Sequence, residues 1–495
     1  MTAHTFVWHD YETWGANPRR HLPAQFAAQR TDAQLQPIGE PLVYYCRPPL
    51  DALPEPESAL ITGLTPQLCA SRGLPESEFA DRIHAALAAP GSIGVGYNSI
   101  RFDDEVTRHL LWRNLLDPYA REWQNGNARW DLLDVARCAH ALRPQGIQWP
   151  LDDEGLPTFR LEKLSAANGL THDAAHDALS DVNATIALAR LIRQTQPRLF
   201  DFCLALREKK KAALEMGLPA TSQTARPFLH ISGMFGAARG NLALMAPLAM
   251  HPHNRNEILA WDLMHDPAEL ADLSAEQVRQ RLFTPAAQLP EGAPRLPVKS
   301  VHLNRAPIVI SSLKTLPDER AAHWGIDYAL ALGQHLPRLH ALPDLSALWS
   351  DVYQRPAAGD AAPEASEMPD VDENLYGGFT SDEDRRCLAR LRALPAAEVA
   401  GRHMGFDDPR LPELVWRWRA RNHPETLTAQ ERRRWQQHRQ ARLLHGAGQH
   451  TSIQSYFEKI DALAAAHESD ERAQALLGAL YEWGEALGES LEENA

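Results

Sequence analysis

The chain has 495 residues, 44% of them hydrophobic, and a formal net charge of −14. At roughly 150 residues per domain this length predicts several domains, and no apolar run approaches the ~18 residues that suggest a membrane span. The net charge alone argues against a nucleic-acid partner, but such binding depends on local basic surface rather than on the average.

The N-terminus and the cysteines indicate a reducing compartment. The segment Met1–Thr5 lacks the basic stretch and apolar core of a signal peptide. The scattered cysteines are Cys46, Cys69, Cys138, Cys203 and Cys387. They form no C-x-x-C pair, which argues against a zinc site and against a disulfide framework. We therefore expect reduced thiols and a cytoplasmic protein.

Residues 1–197 are predicted to form a mixed α/β domain. Phe6–His9 opens a strand, and Gln25–Thr31 and Pro41–Cys46 complete a three-stranded meander. The later candidates are a buried strand at Ile93–Tyr97 and helices at Ser77–Ala88, Asp103–Leu115, Trp130–Leu142 and Leu179–Ile192. Strands first, then strands alternating with helices, predict a mixed sheet flanked by helices.

The rest of the chain divides into three further regions. Residues 198–354 are predicted to be β-rich, with strands at Phe228–Ile231, Asn241–Leu248, Ile258–Leu263, Val298–Leu303 and Pro307–Ile310. Residues 355–384 read as an acidic linker, because the stretch from 356 holds nine carboxylates and no lysine or arginine. Residues 385–495 are predicted to form an all-α C-terminal domain.

Two carboxylates end the first predicted strand. Asp10 and Glu12 are separated by one residue, so both side chains project from the same face of a strand. Two like charges this close repel each other unless a cation lies between them, and Mg²⁺ prefers such oxygen ligands. Taken alone, the pattern is more typical of a solvated strand end.

Two further motifs carry acidic residues in a suitable order. Asn98–Asp103 joins the Ile93–Tyr97 strand to a helix, where Asp103 alone would read as an N-cap. His176 and Asp181 are five residues apart, about 140° round a helix at 3.6 residues per turn. They do not share a helix face, so we expect His176 to lie at or before the start of the helix and to reach the site from a loop.

Together the three motifs resemble those of the DEDD exonuclease superfamily in its histidine-containing variant. Further segments resemble the bacterial exodeoxyribonuclease I family in particular: His9–Thr13, Pro23–Ala28, Ile61–Pro66, Phe102–Arg108, Arg129–Val135, Gln196–Asp201, Ser232–Ala237 and Asn254–Asn256. The resemblance covers most of the chain and thins in the acidic linker and the C-terminal domain. It implies an RNase H-like exonuclease domain, an SH3-like domain and a helical domain that favour processive cleavage of single-stranded DNA.

The resemblance also implies the site. Asp10, Glu12, Asp103 and Asp181 would hold two Mg²⁺ ions about 4 Å apart, with Mn²⁺ as a possible substitute. His176 would act as general base, because imidazole titrates near neutrality. The residues expected to bind the substrate are Glu12, Thr62, Leu64, Phe102 and Arg143.

The expected partners are single-stranded DNA and the acidic C-terminal tail of single-stranded DNA-binding protein, for a monomer that acts in DNA repair and recombination. Arg143 and Arg226 are candidates for binding that tail. Trp14, Tyr97, Phe102 and Trp130 are candidate stacking partners for bases. The Trp416–Asn422 stretch, in which arginine alternates with tryptophan and which continues to Arg432–Trp435, is either a DNA-tracking surface or an amphipathic helix with a solvated basic face.

Three other functions are considered. An exoribonuclease could use the same motifs, but an oligoribonuclease needs little beyond the catalytic domain and this chain carries about 300 further residues. A non-catalytic binding protein on a decayed nuclease fold is disfavoured because all four carboxylates and the histidine are retained. A sugar- or nucleotide-binding module is disfavoured because Gly94-Val95-Gly96 lies within a strand and no glycine-rich phosphate loop follows.

Overall fold

The computed structural model describes residues 4–171, 176–354, 369–400, 402 and 404–492. These residues form two compact units. The first unit takes in the described residues that fall within 1–128, 172–183 and 363–495, and the second those within 129–171 and 184–362. No helix within the described ranges combines the length and the apolar character that a membrane crossing requires.

A mixed sheet lies at the centre of the first unit. It contains β1 (Thr5–Thr13), β2 (Pro23–Thr31), β3 (Leu42–Tyr45) and β4 (Ser92–Gly96), in the order β3-β2-β1-β4. β1 runs antiparallel to β2 and parallel to β4, and β2 runs antiparallel to β3. The predicted meander is confirmed, and β1 is flanked by a strand on each side. β5 (Ala128–Asp131) follows along the chain.

The helices confirm an α/β first region and a helical C-terminal region. In chain order they are α1 (Pro56–Thr62), α2 (Pro66–Arg72), α3 (Glu76–Ala88), α4 (Asp103–Arg113), α5 (Leu132–Leu142), α6 (Leu161–Ala167), α7 (Ala178–Thr195), α8 (Pro197–Ala205), α9 (Lys209–Glu215), α10 (Ala275–Phe283), α11 (Asp318–His323), α12 (Tyr328–Leu330), α13 (Leu336–His340), α14 (Ser346–Val352), α15 (Asp382–Arg392), α16 (Ala396–Val399), α17 (Leu411–Asn422), α18 (Ala429–His445), α19 (Ile453–Ala466) and α20 (Glu471–Glu492).

The helix predicted from Trp130 begins two residues later than expected. Trp130 and Asp131 end strand β5, and Asp131 is the N-cap of α5 in an extended conformation. Its carboxylate accepts a hydrogen bond from the Leu133 amide at 3.0 Å, which satisfies a donor that a helix start leaves open. The boundary therefore depends on a cap that helical periodicity alone does not reveal.

The second unit contains an antiparallel five-stranded sheet of the predicted kind. Its strands are β6 (Phe228–Ile231), β7 (Leu242–Met250), β8 (Glu257–Asp262), β9 (Val298–His302) and β10 (Ile308–Ile310), in the order β10-β6-β7-β8-β9. β6 and β10 are buried throughout. All five strands predicted for this region are therefore confirmed, with bounds that differ from the predicted ones by at most two residues.

A buried ion cluster corrects parts of two predictions, the acidic linker and the basic surface. Residues 355–368 lie outside the described residues, but Asp370 and Asp372 are described and paired. The Asp372 carboxylate lies 2.6 Å from Arg421 Nη2 and 3.0 Å from Arg417 Nη1. It is 6% exposed, so this part of the predicted linker is neither solvated nor extended.

The Trp416–Asn422 stretch is likewise interior and does not form a basic face. Trp416 and Trp418 are buried, and so are Arg417 and Arg419. Arg419 pairs with Glu431 at 2.7 Å, and Arg421 pairs with Asp51 at 2.8 Å. Arg417, Arg419 and Arg421 are paired with carboxylates and stabilise the fold, so the DNA-tracking prediction is wrong for these three residues. Arg432 and Arg433 are exposed on α18, and for that part of the stretch DNA contact stays a prediction.

Asp51 is the member of this cluster whose removal has the clearest expected cost. Burial opposes its ionisation, but the charges of Arg421 and Arg442 outweigh burial and hold the pKa of Asp51 well below its usual value. Its carboxylate is 1% exposed and lies 2.7 Å from Arg442. Asp51→Ala would leave two buried cations short of a partner, and we expect it to lower the free energy of unfolding by about 3–5 kcal/mol in urea titration.

The matched control is Glu78→Ala, which breaks an exposed pair with Arg82 and should cost less than about 1 kcal/mol. Since the folded pKa of Asp51 lies below its unfolded value, its contribution is present above about pH 4 and is lost as the pH falls further. Equal losses for the two variants at neutral pH would contradict the assignment.

Candidate active site

Strand β1 presents two carboxylates at its C-terminal end. Asp10 and Glu12 project from one face, and Tyr11 between them points to the other, where its ring packs 4.9 Å from that of Phe26. Glu12 is 7% exposed. The alternation predicted for this strand is confirmed. Both acids lie on the part of β1 that pairs with β2, opposite Ala27 and Gln25, which gives them a rigid support.

Helix α4 brings a third carboxylate to the end of β1. Asp103 is the first helical residue, and its Oδ1 accepts a hydrogen bond from the Tyr11 amide at 3.2 Å. The Thr107 hydroxyl lies 2.8 Å from the Asp103 carbonyl oxygen and 3.0 Å from the Tyr11 hydroxyl. The N-cap is Phe102, so the reading of Asp103 as a plain cap is wrong, and its carboxylate is joined to β1 instead.

Helix α7 and the residues before it complete the group. His176 precedes the helix, as predicted, and adopts a φ of 64°. Asp181 lies in the first turn, where its amide donates to the Asp177 carbonyl at 3.0 Å. Possible ligand atoms of Glu12, His176 and Asp181 all lie within 4.8 Å of one another. Residues that are far apart in sequence therefore meet at one point.

The clustered charges disturb one another strongly. Burial raises the pKa of Asp10 well above its usual value, and the charges of Asp103, Glu12 and Asp181 add to the effect. Burial also raises the pKa of Glu12, to about 9, with Asp181 and Asp103 as the next causes. The ionised forms of such carboxylates repel one another, and a bound cation stabilises them.

The donor set fits a divalent cation. Four carboxylates supply the hard oxygen ligands that Mg²⁺ and Mn²⁺ prefer. Possible ligand atoms of Glu12, His176 and Asp181 lie close enough together for one small ion to contact all three residues. The raised pKa values of Asp10 and Glu12 are those of groups that lack a countercharge.

These shifts predict a pH-dependent stabilisation by metal. A carboxyl group whose folded pKa is raised destabilises the fold progressively as the pH rises above its unfolded value of about 4, and for Glu12 this continues to its folded pKa of about 9. A cation binds the ionised form and reverses the effect. We expect Mg²⁺ to raise the thermal unfolding midpoint, and to raise it more at about pH 9 than at about pH 6. NaCl of equal ionic strength is the control, and a pH-independent increment would contradict the assignment.

Besides Glu12, three of the residues expected to bind substrate lie in the first unit. Thr62 ends α1, and its hydroxyl accepts a hydrogen bond from the Leu64 amide at 3.2 Å. Leu64 is 8% exposed and belongs to an apolar cluster with Trp14. Phe102 is half-buried against the core beside α4. Their roles toward DNA stay predictions.

Arg143 and Trp130 are hydrogen-bonded to backbone carbonyls, and Trp14 is part of the core. In the second unit, Arg143 follows α5 and donates from Nη1 to the carbonyls of Leu142 at 2.6 Å and Thr315 at 2.8 Å. Trp130 is 1% exposed, and its indole donates to the Cys203 carbonyl at 3.2 Å. Trp14, in the first unit, is also buried. The stacking role predicted for these two tryptophans is wrong, because their rings are core.

Sequence reasoning missed Gln25, Tyr45 and Asp177. Gln25 lies on β2 directly opposite Glu12 in the strand register, and its side-chain nitrogen lies 3.3 Å both from Asp177 Oδ1 and from the Tyr45 hydroxyl. The available signal was a single glutamine inside the otherwise apolar run Ala24–Ala28. Asp177 also adds to the charge that raises the pKa values of Asp10 and Glu12.

Comparison with known proteins agrees with this geometry. Family models match in three parts: Exonuclease over residues 7–189, Exonuclease I SH3-like domain over 207–355 and Exonuclease I C-terminal domain over 369–487. Exodeoxyribonuclease I of Escherichia coli (strain K12) is 43% identical over 491 residues, 98% of each chain. The counterpart from Haemophilus influenzae is 41% identical over 97% of this chain and 98% of its own.

Solved structures give the same result. Exonuclease I from Methylocaldum szegediense superposes with a TM-score of 0.90 at 45% identity, covering 98% of this chain and 99% of that one. E. coli exonuclease I in complex with a dT13 oligonucleotide superposes with a TM-score of 0.89 at 42% identity, covering 98% of this chain and 100% of that one. Other similar structures are a zinc-bound complex of E. coli ExoI with single-stranded DNA and an ExoI/SSB-Ct complex. Matched along nearly its whole length, the chain belongs to the exonuclease I family.

Proposed function

We propose that this protein is a divalent-metal-dependent exonuclease that degrades single-stranded DNA from the 3′ end and releases 5′-mononucleotides. The observation that carries the proposal is the meeting of Glu12, His176 and Asp181 beside Asp10 and Asp103 at the end of β1. Processive action in DNA repair and recombination is part of the same proposal. It is supported by relatives that match this chain from end to end.

Asp10, Glu12, Asp103 and Asp181 are the residues that would hold the metal, proposed as two Mg²⁺ ions. When bound, such ions neutralise charge on the phosphate and lower the pKa of water. The chain's own contribution is to fix these acids before substrate arrives. Asp103 is bonded to the Tyr11 amide, and Asp181 is fixed in the first turn of α7.

His176 is the proposed general base. Its ring takes the proton from the attacking water as the water oxygen bonds to phosphorus and the bond from phosphorus to the 3′ oxygen breaks. The leaving 3′ oxygen takes up a proton and becomes a hydroxyl. Because His176 lies before the helix and is exposed, its ring can return the proton to solvent between cycles.

The proposed grip on the terminal nucleotide comes from Thr62, Leu64, Phe102 and Glu12. Thr62 and Leu64 form the turn between α1 and α2, and Leu64 packs on Trp14, two residues beyond Glu12. A 3′ end held at this turn would lie beside the carboxylates. Arg143, a residue of the second unit, is also proposed to contact the DNA.

The proposed partner besides DNA is the C-terminal tail of single-stranded DNA-binding protein, with Arg143 and Arg226 as candidate contacts. A similar solved structure supports this partner, since it is an ExoI/SSB-Ct complex at 40% identity to this chain. A monomeric state and a cytoplasmic location complete the proposal.

An exoribonuclease is the main competing function, since the same five residues would serve RNA. The discriminating experiment compares a single-stranded DNA oligonucleotide, its RNA counterpart and a blunt DNA duplex in the presence of Mg²⁺. We expect rapid loss of the single-stranded DNA only. Preferential loss of the RNA would overturn the substrate assignment, and tight DNA binding without degradation would make the protein a scaffold.

A further inference from the structure

We infer that Gln25 is a positioning residue that fixes the start of α7, and thereby His176 and Asp181, against the strand pair that carries Glu12. The inference rests on the proposed function, since it assigns a role within the same reaction. It names a residue outside the four carboxylates and the histidine. No contact of Gln25 with substrate is required.

Gln25 occupies an unusual place for a polar side chain. It is 1% exposed, and the neighbouring Ala24, Phe26 and Ala27 on β2 are buried as well. Its partner in the antiparallel register is Glu12, so its Cα lies directly across from the residue that joins the metal-ligand group. A buried amide costs stability unless its hydrogen bonds are made.

Both the nitrogen and the oxygen of the Gln25 side-chain amide make hydrogen bonds. Nε2 lies 3.3 Å from Asp177 Oδ1 and 3.3 Å from the Tyr45 hydroxyl, while Oε1 accepts from the Ala178 amide at 3.4 Å. Ala178 is the first residue of α7. One side chain on the sheet therefore holds both the residue before the helix and the helix itself.

Asp177 transmits this restraint to both functional residues. Its second carboxylate oxygen accepts from the Ser180 amide at 3.1 Å and caps the helix, and its carbonyl accepts from Asp181 at 3.0 Å. On its other side His176 has a φ of 64°, a conformation that a non-glycine residue adopts at a cost and keeps only when its surroundings impose it.

Glutamine suits this position better than its nearest alternatives. Glutamate could not donate to Asp177 and would add a further negative charge to a cluster whose pKa values are already raised by burial and by mutual repulsion. Leucine would fill the space but leave the Asp177 carboxylate and the Ala178 amide without this partner.

The test exchanges the hydrogen-bond donor and acceptor between residues 25 and 177. Gln25→Leu and Gln25→Glu should each lower kcat on single-stranded DNA by about 10–100-fold, the usual range for residues that orient metal ligands, with KM changed less than about threefold. In Gln25→Glu/Asp177→Asn the donor lies on residue 177 and the acceptor on residue 25. We expect this double variant to recover most of the lost rate.

The matched control is Gln29→Leu, a buried glutamine on the same strand whose amide donates to the Arg30 carbonyl at 2.9 Å. It should lower the thermal midpoint without lowering kcat. A second readout is Mn²⁺ binding without DNA, followed by the paramagnetic resonance signal of free Mn²⁺. Gln25→Leu should weaken Mn²⁺ binding about 10–100-fold, and Gln29→Leu should not.

Wild-type kcat in Gln25→Leu, or a double variant no better than Gln25→Glu, would overturn the inference. If Gln25→Leu does not fold, the comparison of Gln25→Glu with the double variant decides. A wild-type protein that binds Mn²⁺ but degrades no DNA would refute the proposed function, whereas an active wild type with unaffected Gln25 variants would refute only this inference.

Discussion

Asp181→Ala is expected to lower the rate of single-stranded DNA hydrolysis by about three orders of magnitude, a barrier increase of roughly 4 kcal/mol. The substitution removes a carboxylate that lies within 4.8 Å of possible ligand atoms of Glu12 and His176. A metal that loses a ligand stabilises less charge on the phosphate, and such stabilisation is worth several kcal/mol. Multiple-turnover kinetics with a labelled oligonucleotide measure the change.

The fold should survive Asp181→Ala, because removing one acid relieves repulsion that raises the pKa values of Asp10 and Glu12. The metal-free variant should therefore unfold at the same temperature as the wild type or higher. Asn183→Ala is the control, since Asn183 is an exposed residue of the same helix. A tenfold or smaller loss of rate in Asp181→Ala would remove Asp181 from the metal site.

His176→Ala is expected to lower kcat by about 10²–10⁴-fold, the contribution usual for a general base. The geometry allows a second role, because the imidazole lies within ligand distance of Glu12 and Asp181. The two roles differ in metal affinity. A general base should leave Mn²⁺ binding within a few-fold of wild type, whereas a ligand should not.

His467→Ala is the matched control for His176, since His467 is an exposed histidine at the end of α19. It should leave both kcat and Mn²⁺ binding unchanged. If His176→Ala weakens Mn²⁺ binding as strongly as it lowers kcat, the histidine is a ligand and the proton acceptor must be another group. Unchanged kcat would exclude it from both roles.

The strands and the site motifs could be predicted from the sequence because the determining signals are local. Two acids at i and i+2 on a strand share a face whatever surrounds them, and Asp10 and Glu12 do so. The alternating and buried apolar runs located all five strands of the second unit. The placement of His176 before the helix followed from the angle of about 140° between it and Asp181.

The short helices α1 and α2 were missed because they are seven residues each and begin with proline. Proline reads as a turn signal in sequence, although it suits the first position of a helix. The start of α2 is marked by the cap Thr65, whose hydroxyl accepts a hydrogen bond from the Leu68 amide at 3.2 Å, whereas the N-cap of α1, Glu55, makes no side-chain cap hydrogen bond. Such caps resemble ordinary turn residues.

The acidic segment was misread because its partners are distant in sequence. Asp372 is held by Arg417, Arg421 and Arg442, all of which follow it by more than forty positions in the chain. Local composition therefore shows only uncompensated charge, which is typical of disorder. The arginines of α17 were considered as a basic surface for the same reason, because their carboxylate partners lie outside the local sequence.

The most direct test of the central claim follows the two ends of one single-stranded DNA molecule in the presence of Mg²⁺. A 3′-terminal label should be released at once as a mononucleotide, while a 5′ label should remain on strands that shorten progressively, and EDTA should stop both. Early release of the 5′ label, internal fragments, or degradation in EDTA would contradict a metal-dependent 3′→5′ exonuclease built on Asp10, Glu12, Asp103, His176 and Asp181.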